Sequence, residues 1–192
     1  DLFFLAYCAN NVTVYHPSLK LSQIISEQEK YAKITAQTGY QDAVDASNIT
    51  LHWIKNMNGR TRGPLTMDSE HFDAQECLDQ MIERKYSSGI GIFHTHQAKI
   101  YLNAEKYEEA LDSVKLAEEH ISSLFSLINL VYLCSISFFA SSGLLFSRDS
   151  KAARKLKSRM KKEFAKMSKW SKYNSVNFLH WKLLMEAELA SL

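Results

Sequence analysis

Glycine and proline are scarce in this chain of 192 residues, which has only 6 Gly and 2 Pro. These residues begin turns and end helices, so a β-sandwich or barrel, with its many tight turns, would need more of both. Their scarcity favours long helices joined by short connections. Hydrophobic residues make up 46% of the chain, which is enough to form the core of a globular protein. The composition therefore predicts an all-α protein.

Cysteine is also sparse: the chain has 3, an odd number, at Cys8, Cys77 and Cys134. No two are close enough in sequence to form a zinc-binding CxxC pair, and the pattern is not that of a disulfide framework. We therefore expect free thiols and a cytoplasmic location. No basic stretch precedes the first apolar residues, so no signal peptide is expected. The chain begins and ends within helix-like sequence, which we interpret as a piece of a longer protein.

Sequence motifs of catalysis are missing. There is no Gly-x-Ser-x-Gly turn, no GxxxxGK[ST] phosphate loop and no GxGxxG, of which residues 89–91 supply only a part. His94 and His96 could suggest a metal site, but residues two apart do not share a face of a helix. We therefore expect no enzymatic activity, no cofactor and no bound metal. A small-molecule ligand is not expected either.

Charged residues are unevenly distributed, although the net charge is only +2. Residues 151–172 contain ten Lys and Arg against a single acid, Glu163, whereas the rest of the chain has an excess of seven acids. We predict that Lys155, Arg159 and Lys162 contact an acidic partner protein. No aromatic residues alternate with these charges to stack on bases, so nucleic acid is not expected as a partner. One inward-facing stripe is predicted from apolar residues at helical spacing: Leu156, Met160, Phe164, Met167 and Trp170.

Residues 121–147 form a long uncharged segment, with no charged residue in 27 positions, of which 17 are apolar. About 20 apolar residues can span a membrane, and basic residues follow this segment as they do at the cytoplasmic end of many spans. Asn129 and several serines dilute the apolar run, and a helix that is apolar all round can also lie in a protein core. We predict a buried core helix, and a membrane-anchored module is the alternative.

Helical periodicity predicts about nine helices, arranged as antiparallel hairpins. Pro17 is expected to end the first helix, and turn residues within 58–70 form the main loop. Residues 87–89 are expected to break the chain between the fourth and fifth helices. The predicted helices cover 2–15, 19–38, 41–57, 72–85, 90–103, 105–121, 124–146, 150–171 and 174–191.

Small and large apolar residues recur at fixed intervals in the predicted helix pair 90–121. Because alanine lets two backbones approach closely, a set of five residues would pack the pair: Ala98, Tyr101, Ala110, Val114 and Ala117. With the sequence EKYEEAL over residues 105–111, this spacing resembles the tetratricopeptide repeat. The usual Trp and closing Pro of that repeat are absent, and no second copy follows at its period of about 34 residues.

The resemblance to tetratricopeptide repeats implies a single domain over residues 1–192, folded as an α-α superhelix of tetratricopeptide-like hairpins. Superhelices of this kind present an extended binding surface. On that surface the resemblance places Thr95, Lys99 and Asn103 at positions facing a peptide-binding groove. It therefore leaves open that the chain is a free-standing adaptor for a peptide or protein partner.

A wider resemblance covers most of the chain. Residues 4–10 (FLAYCAN), the repeat above and residues 169–189 (KWSKYNSVNFLHWKLLMEAEL) are similar to the helical region of large bacterial and fungal multidomain sensor kinases. In those proteins a Ser/Thr-kinase-like domain and a predicted ATPase precede this region, and GAF sensor and histidine kinase domains follow it. Ser175 stands where the family usually has Pro. The resemblance implies a non-catalytic scaffold for signal transduction, which links the ATPase-like module to the sensor and kinase domains.

Overall fold

The computed structural model describes residues 8, 12–16, 18–125, 127–147 and 149–192, and every regular element within these residues is a helix. The prediction of an all-α protein is confirmed. The predicted helix 2–15, its end at Pro17 and the kinase-like stretch 4–10 fall wholly or mostly outside the described residues. The α-helices are α1 Leu21–Ala36, α2 Gln41–Met57, α3 Ala74–Glu83, α4 Ser87–Asn103, α5 Tyr107–Glu118, α6 Asn129–Gly143, α7 Ser150–Tyr173 and α8 Ser175–Ser191.

Two predicted helix boundaries are wrong. The expected helix 124–146 is divided: a 3-10 helix covers Ile121–Leu124, and α6 begins only at Asn129. Residues 87–89 do not form the break between α3 and α4, because α4 already begins at Ser87. The reversal lies just before it, at Lys85, whose φ is +56°. Gly89 is needed inside α4 because a Cβ there would lie 2.3 Å from a ring carbon of Tyr86.

The turns after α3 and α4 share one geometry. Lys85 and Glu105 both take a left-handed backbone conformation, with φ values of +56° and +59°. In each turn the next amide reaches back five residues, since Tyr86 N donates to Met81 O and Lys106 N donates to Tyr101 O, both at 2.9 Å. This is the Schellman motif, which satisfies the last carbonyls of a helix and turns the chain sharply.

The buried side chains form three clusters along the chain. The first joins α1, α2 and α3 to one side of α4, around Ile25, Ile54 and Met81. The second joins a different side of α4 to α5 and α6, and the third joins α6 to α7 and α8. Helix α6 belongs to two clusters because Ile136 packs toward α4 and α5 while Phe138, which is 0% exposed, packs toward α7 and α8. Burying one such side chain stabilises the fold by about 1.5–3 kcal/mol.

The uncharged segment 121–147 therefore forms the centre of the second half of the fold. By length and composition alone, Asn129–Ser147 is the one stretch of the described residues that could cross a membrane. In this fold 61% of that stretch is buried inside the protein. Some of its serines donate hydrogen bonds within the helix, as when Ser141 Oγ donates to Ser137 O at 2.6 Å, and Ser142 Oγ donates to Glu188 of α8.

Candidate protein-interaction site

Helix α7 presents on one side the three cations that the sequence analysis predicted to contact a partner. The helix begins where Asp149 caps it, since the carboxylate oxygen Oδ1 accepts hydrogen bonds from the amides of Lys151 and Ala152 at 2.9 and 2.8 Å. From there its apolar side turns inward, with Met160 and Met167 1% and 0% exposed. The other three residues of the predicted stripe, Leu156, Phe164 and Trp170, are half-buried.

Lys155, Arg159 and Lys162 meet at one depression in the surface, with a volume of about 250 Å³. Their spacing of four and three residues places them on the same face of α7. Two other helices complete the depression, with Glu118 from α5 and Ser137 from α6. Among the described residues, none of the three cations makes an ion pair. The arrangement gathers positive charge at a concave surface, which attracts an anionic group.

Glu163 lies at the inner edge of this depression and is 2% exposed. A carboxylate is buried at a large free-energy penalty unless it is paired, and here Lys166 Nζ donates to its Oε2 at 2.7 Å. The backbone oxygen of the same residue accepts a weak hydrogen bond from Cys134 Sγ at 3.3 Å. The contact with Cys134 joins α7 to α6. The buried acid is thus already neutralised by its neighbour on α7.

An apolar pocket of about 350 Å³ adjoins the basic depression, and the two share Glu118 and Glu163 in their walls. Its walls come from the end of α5, the 3-10 helix, α6 and α7. Phe125 is 81% exposed at this pocket, and Ile121 is 46% exposed. Exposed large apolar side chains that line a concave surface are typical of sites where a ligand or a partner docks. We call the depression and the pocket together the α5–α7 groove.

Lys99 does not face a groove, contrary to the expectation from the tetratricopeptide resemblance. Its side chain is 6% exposed, and Nζ lies 3.9 Å from the ring centroid of Trp53 and 3.4 Å from that of Tyr132. The amino group therefore sits between two aromatic rings, one from α2 and one from α6. Burial lowers the pKa of Lys99 well below its ordinary value.

Thr95 and Asn103, the other residues placed along the expected groove, lie in different surroundings. Thr95 is 0% exposed, and its Oγ1 donates to Gly91 O one turn earlier at 2.7 Å. Asn103 is exposed at the end of α4. The physical reason is that α4 packs against α2, α3, α5 and α6, so little of its circumference remains for a ligand. Of the three, Asn103 alone has an accessible side chain.

The two histidines of α4 are separated as expected for residues two apart in a helix. His96 is 1% exposed and stacks on Trp53 with ring centroids 4.5 Å apart. His94 is half-buried; burial, assisted by the nearby His120, lowers its pKa to about 4. In the described part of the chain, no group of three or more His, Cys, Asp or Glu side chains is arranged to hold a metal ion.

The residues predicted to pack the α4–α5 pair are placed at its interface. Four of them, Ala98, Ala110, Val114 and Ala117, are 0% exposed. Tyr101 is half-buried against the same cluster. Small residues at this interface let the two helices approach closely, as the spacing of the sequence indicated.

No protein-family model, no curated protein and no solved structure matches this chain.

Sequence reasoning missed the residues that complete the α5–α7 groove. Those residues come from α5, from α6 and from the segment between these helices, all outside α7: Glu118, Ser137, Ile121 and Phe125. The spacing of the three cations on α7 was a usable signal, because it places them on one helical face. No local signal could have shown which other helices would border that face. That information depends on the packing of α5 and α6.

Proposed function

We propose that this chain is a non-catalytic helical scaffold that binds protein partners through the α5–α7 groove. The observation that carries the proposal is the convergence of Lys155, Arg159 and Lys162 on one depression without ion-pair partners among the described residues. Cations held near one another repel, so this arrangement is favourable when an anionic partner fills the depression. An acidic protein surface would supply such groups.

The setting proposed for the scaffold is a cytoplasmic multidomain signal-transduction kinase. There it would link an ATPase-like module to sensor and histidine kinase domains, as the sequence resemblance implies. Its helices would form an α-α superhelix of tetratricopeptide-like hairpins, an arrangement supported by the short turn between α4 and α5 and by the alanines buried between them. The state of one neighbour would reach the other through small shifts of packed hairpins.

Limited proteolysis of the longer signalling protein, with and without ATP, tests the proposed linkage. We expect cleavage in the 58–70 loop and around 147–150 to change with nucleotide, because a module coupled to an ATPase changes its local opening when the ATPase changes state. Identical cleavage patterns in both states would contradict the linkage and favour a free-standing adaptor instead.

Charge reversal on α7 tests the proposed contact itself. The triple variant Lys155→Glu, Arg159→Glu and Lys162→Glu should weaken the association with an acidic neighbouring domain by at least about tenfold, because attraction becomes repulsion. Its matched control reverses one Arg and two Lys on the opposite side of the same helix: Arg154→Glu, Lys157→Glu and Lys161→Glu. Equal affinities of the two triple variants would count against the depression as the contact surface.

A free-standing adaptor is the second candidate function, and the exposed Phe125 and Ile121 favour it. An adaptor needs a surface that a peptide from another protein can reach, and these two side chains supply it. The two functions differ in where the partner is located, in the same chain or in a separate one. Both use the α5–α7 groove.

A further inference from the structure

The ligand of the α5–α7 groove can be specified by chemistry. We propose that it is a segment of a partner protein in which a block of carboxylates adjoins a block of large apolar side chains. The inference rests on the proposed function, because it assigns a ligand to the same site. The carboxylates would bind at Lys155, Arg159 and Lys162, and the apolar side chains would bind beside Phe125 and Ile121.

Continuity between the two parts of the groove is the first support. They share Glu118 and Glu163 in their walls, so the two parts adjoin at these residues. Along α7, the basic part is centred near residue 159 and the apolar part near residue 166. This separation of seven residues corresponds to about 10 Å along a helix axis. A single short segment can therefore occupy both parts.

Charge complementarity is the second support. The basic depression holds three cations against Glu118 and Glu163, and Glu163 is already paired with Lys166. A ligand with several carboxylates would place them beside the cations, away from Glu118. The adjoining apolar pocket offers no place for a continuous run of phosphates, which favours a protein ligand over a nucleic acid.

The apolar pocket is the third support. Its volume of about 350 Å³ accommodates one or two large side chains. Phe125 is 81% exposed at its rim, and Trp170 is half-buried in its wall. Aromatic side chains at the edge of a pocket commonly contribute much of the binding free energy of an interface. A purely acidic ligand would leave these rings in water, so the ligand must also be apolar.

Fluorescence anisotropy with two labelled peptides of identical composition tests the inference. In the first peptide a block of glutamates is followed by a block of leucine and phenylalanine, and in the second the same residues alternate. We expect the block peptide to bind the full chain at least about tenfold more tightly, because its order matches that of the groove. Equal binding of the two peptides would overturn the inference.

Two pairs of variants show whether binding occurs in the groove. Phe125→Ala should weaken binding of the block peptide by about tenfold, whereas Phe146→Ala, at an equally exposed phenylalanine outside the groove, should leave it unchanged. The triple reversal at Lys155, Arg159 and Lys162, the groove-side triple, should abolish binding. The control reversal at Arg154, Lys157 and Lys161, the opposite-side triple, should not. Equal effects within either pair would overturn the assignment. So would a DNA oligonucleotide that displaces the peptide completely at physiological salt.

Failure of this inference can be distinguished from failure of the proposed function. If the groove-side triple disrupts association with an acidic domain but the block peptide does not bind, the surface is a contact site with a different ligand chemistry. If the groove-side triple changes neither the association with the acidic domain nor the binding of the block peptide, both proposals are contradicted.

Discussion

Lys99 and the three cations of the α7 depression are basic residues in opposite surroundings. Lys99 is enclosed by Trp53 and Tyr132, with His96 Nδ1 3.4 Å from its Nζ, and no carboxylate is among these contacts. On α7 the charged groups reach solvent at a concave surface. The difference shows that a basic residue of a helix can pack in the core or be available to contact a partner protein. The packing around the residue determines which of the two it does.

The aromatic enclosure of Lys99 also joins separate parts of the fold. Trp53 belongs to the first buried cluster and stacks on His96, whereas Tyr132 packs beside the second. In neutral His96, Nδ1 accepts from Lys99 and Nε2 donates to Thr50 Oγ1 at 3.4 Å. Both ring nitrogens of His96 therefore have partners, as buried polar groups require, whereas the buried Nε1 of Trp53 makes no hydrogen bond among the described residues.

Replacement of Lys99 by glutamate should have the largest effect on stability. Lys99→Glu places a carboxylate among aromatic rings and beside His96, so we expect a loss of about 3–5 kcal/mol in the free energy of unfolding. The same reversal on α7, Lys162→Glu, should change it by no more than about 0.5 kcal/mol. Urea denaturation of both variants measures the difference. Similar losses would mean that Lys99 is not enclosed as described.

Replacement of Lys99 by methionine should remove a pH dependence. Because the pKa of Lys99 is lowered in the folded state, the unfolded chain binds more protons at this group. Stability therefore rises with pH from the lowered pKa up to the ordinary lysine value of about 10.4. Denaturation curves recorded from pH 7 upward should show a smaller rise for Lys99→Met than for wild type. Lys162→Met is the control and should retain the wild-type slope.

The half-buried His94 should give a smaller effect on the acid side. Its pKa is lowered to about 4, so the folded state binds fewer protons and stability falls as the pH drops from about 6.5 toward 4. His94→Gln should reduce this fall by about 1–3 kcal/mol. His180→Gln, at an exposed histidine of α8, should leave the fall unchanged. If the two variants behave alike, the burial of His94 has no energetic consequence.

Salt should have the smallest effect, and it should act on α7 alone. Like charges three or four residues apart on α7 destabilise a helix by about 0.2–0.5 kcal/mol per pair, and salt screens them. We expect stability to rise slightly between about 50 and 500 mM salt. The groove-side triple reversal should lose this gain, whereas Lys99→Met should retain it. A gain that depends on Lys99 would contradict its seclusion from solvent.

Much of the helical layout was predictable from local sequence signals. The predicted limits of α2, 41–57, agree with the structure because Gly39 precedes it and Asn58–Gly59 follow it. The division of the segment 121–147 was not predictable in the same way. It contains no proline and its one glycine is Gly143, so nothing in its composition marks a change of direction before Asn129.

Prediction of the site depended on how strongly each helix is amphipathic. On α7 one apolar stripe leaves no doubt about the outward face, so its cations were assigned to the surface correctly. On α4 apolar residues occur on nearly every side, and the positions of Thr95 and Lys99 could not be derived from periodicity. The enclosing rings of Trp53 and Tyr132 come from helices distant in sequence.

Amine acetylation followed by mass spectrometry tests directly whether Lys99 is enclosed and the α7 lysines are accessible, because it compares all of them in one experiment. In the free protein Lys155 and Lys162 should react readily and Lys99 should be protected. On addition of the block peptide, we expect acetylation of Lys155 and Lys162 to fall several-fold while that of Lys157 and Lys161 stays constant. Equal protection of all four α7 lysines, or rapid acetylation of Lys99, would contradict these expectations.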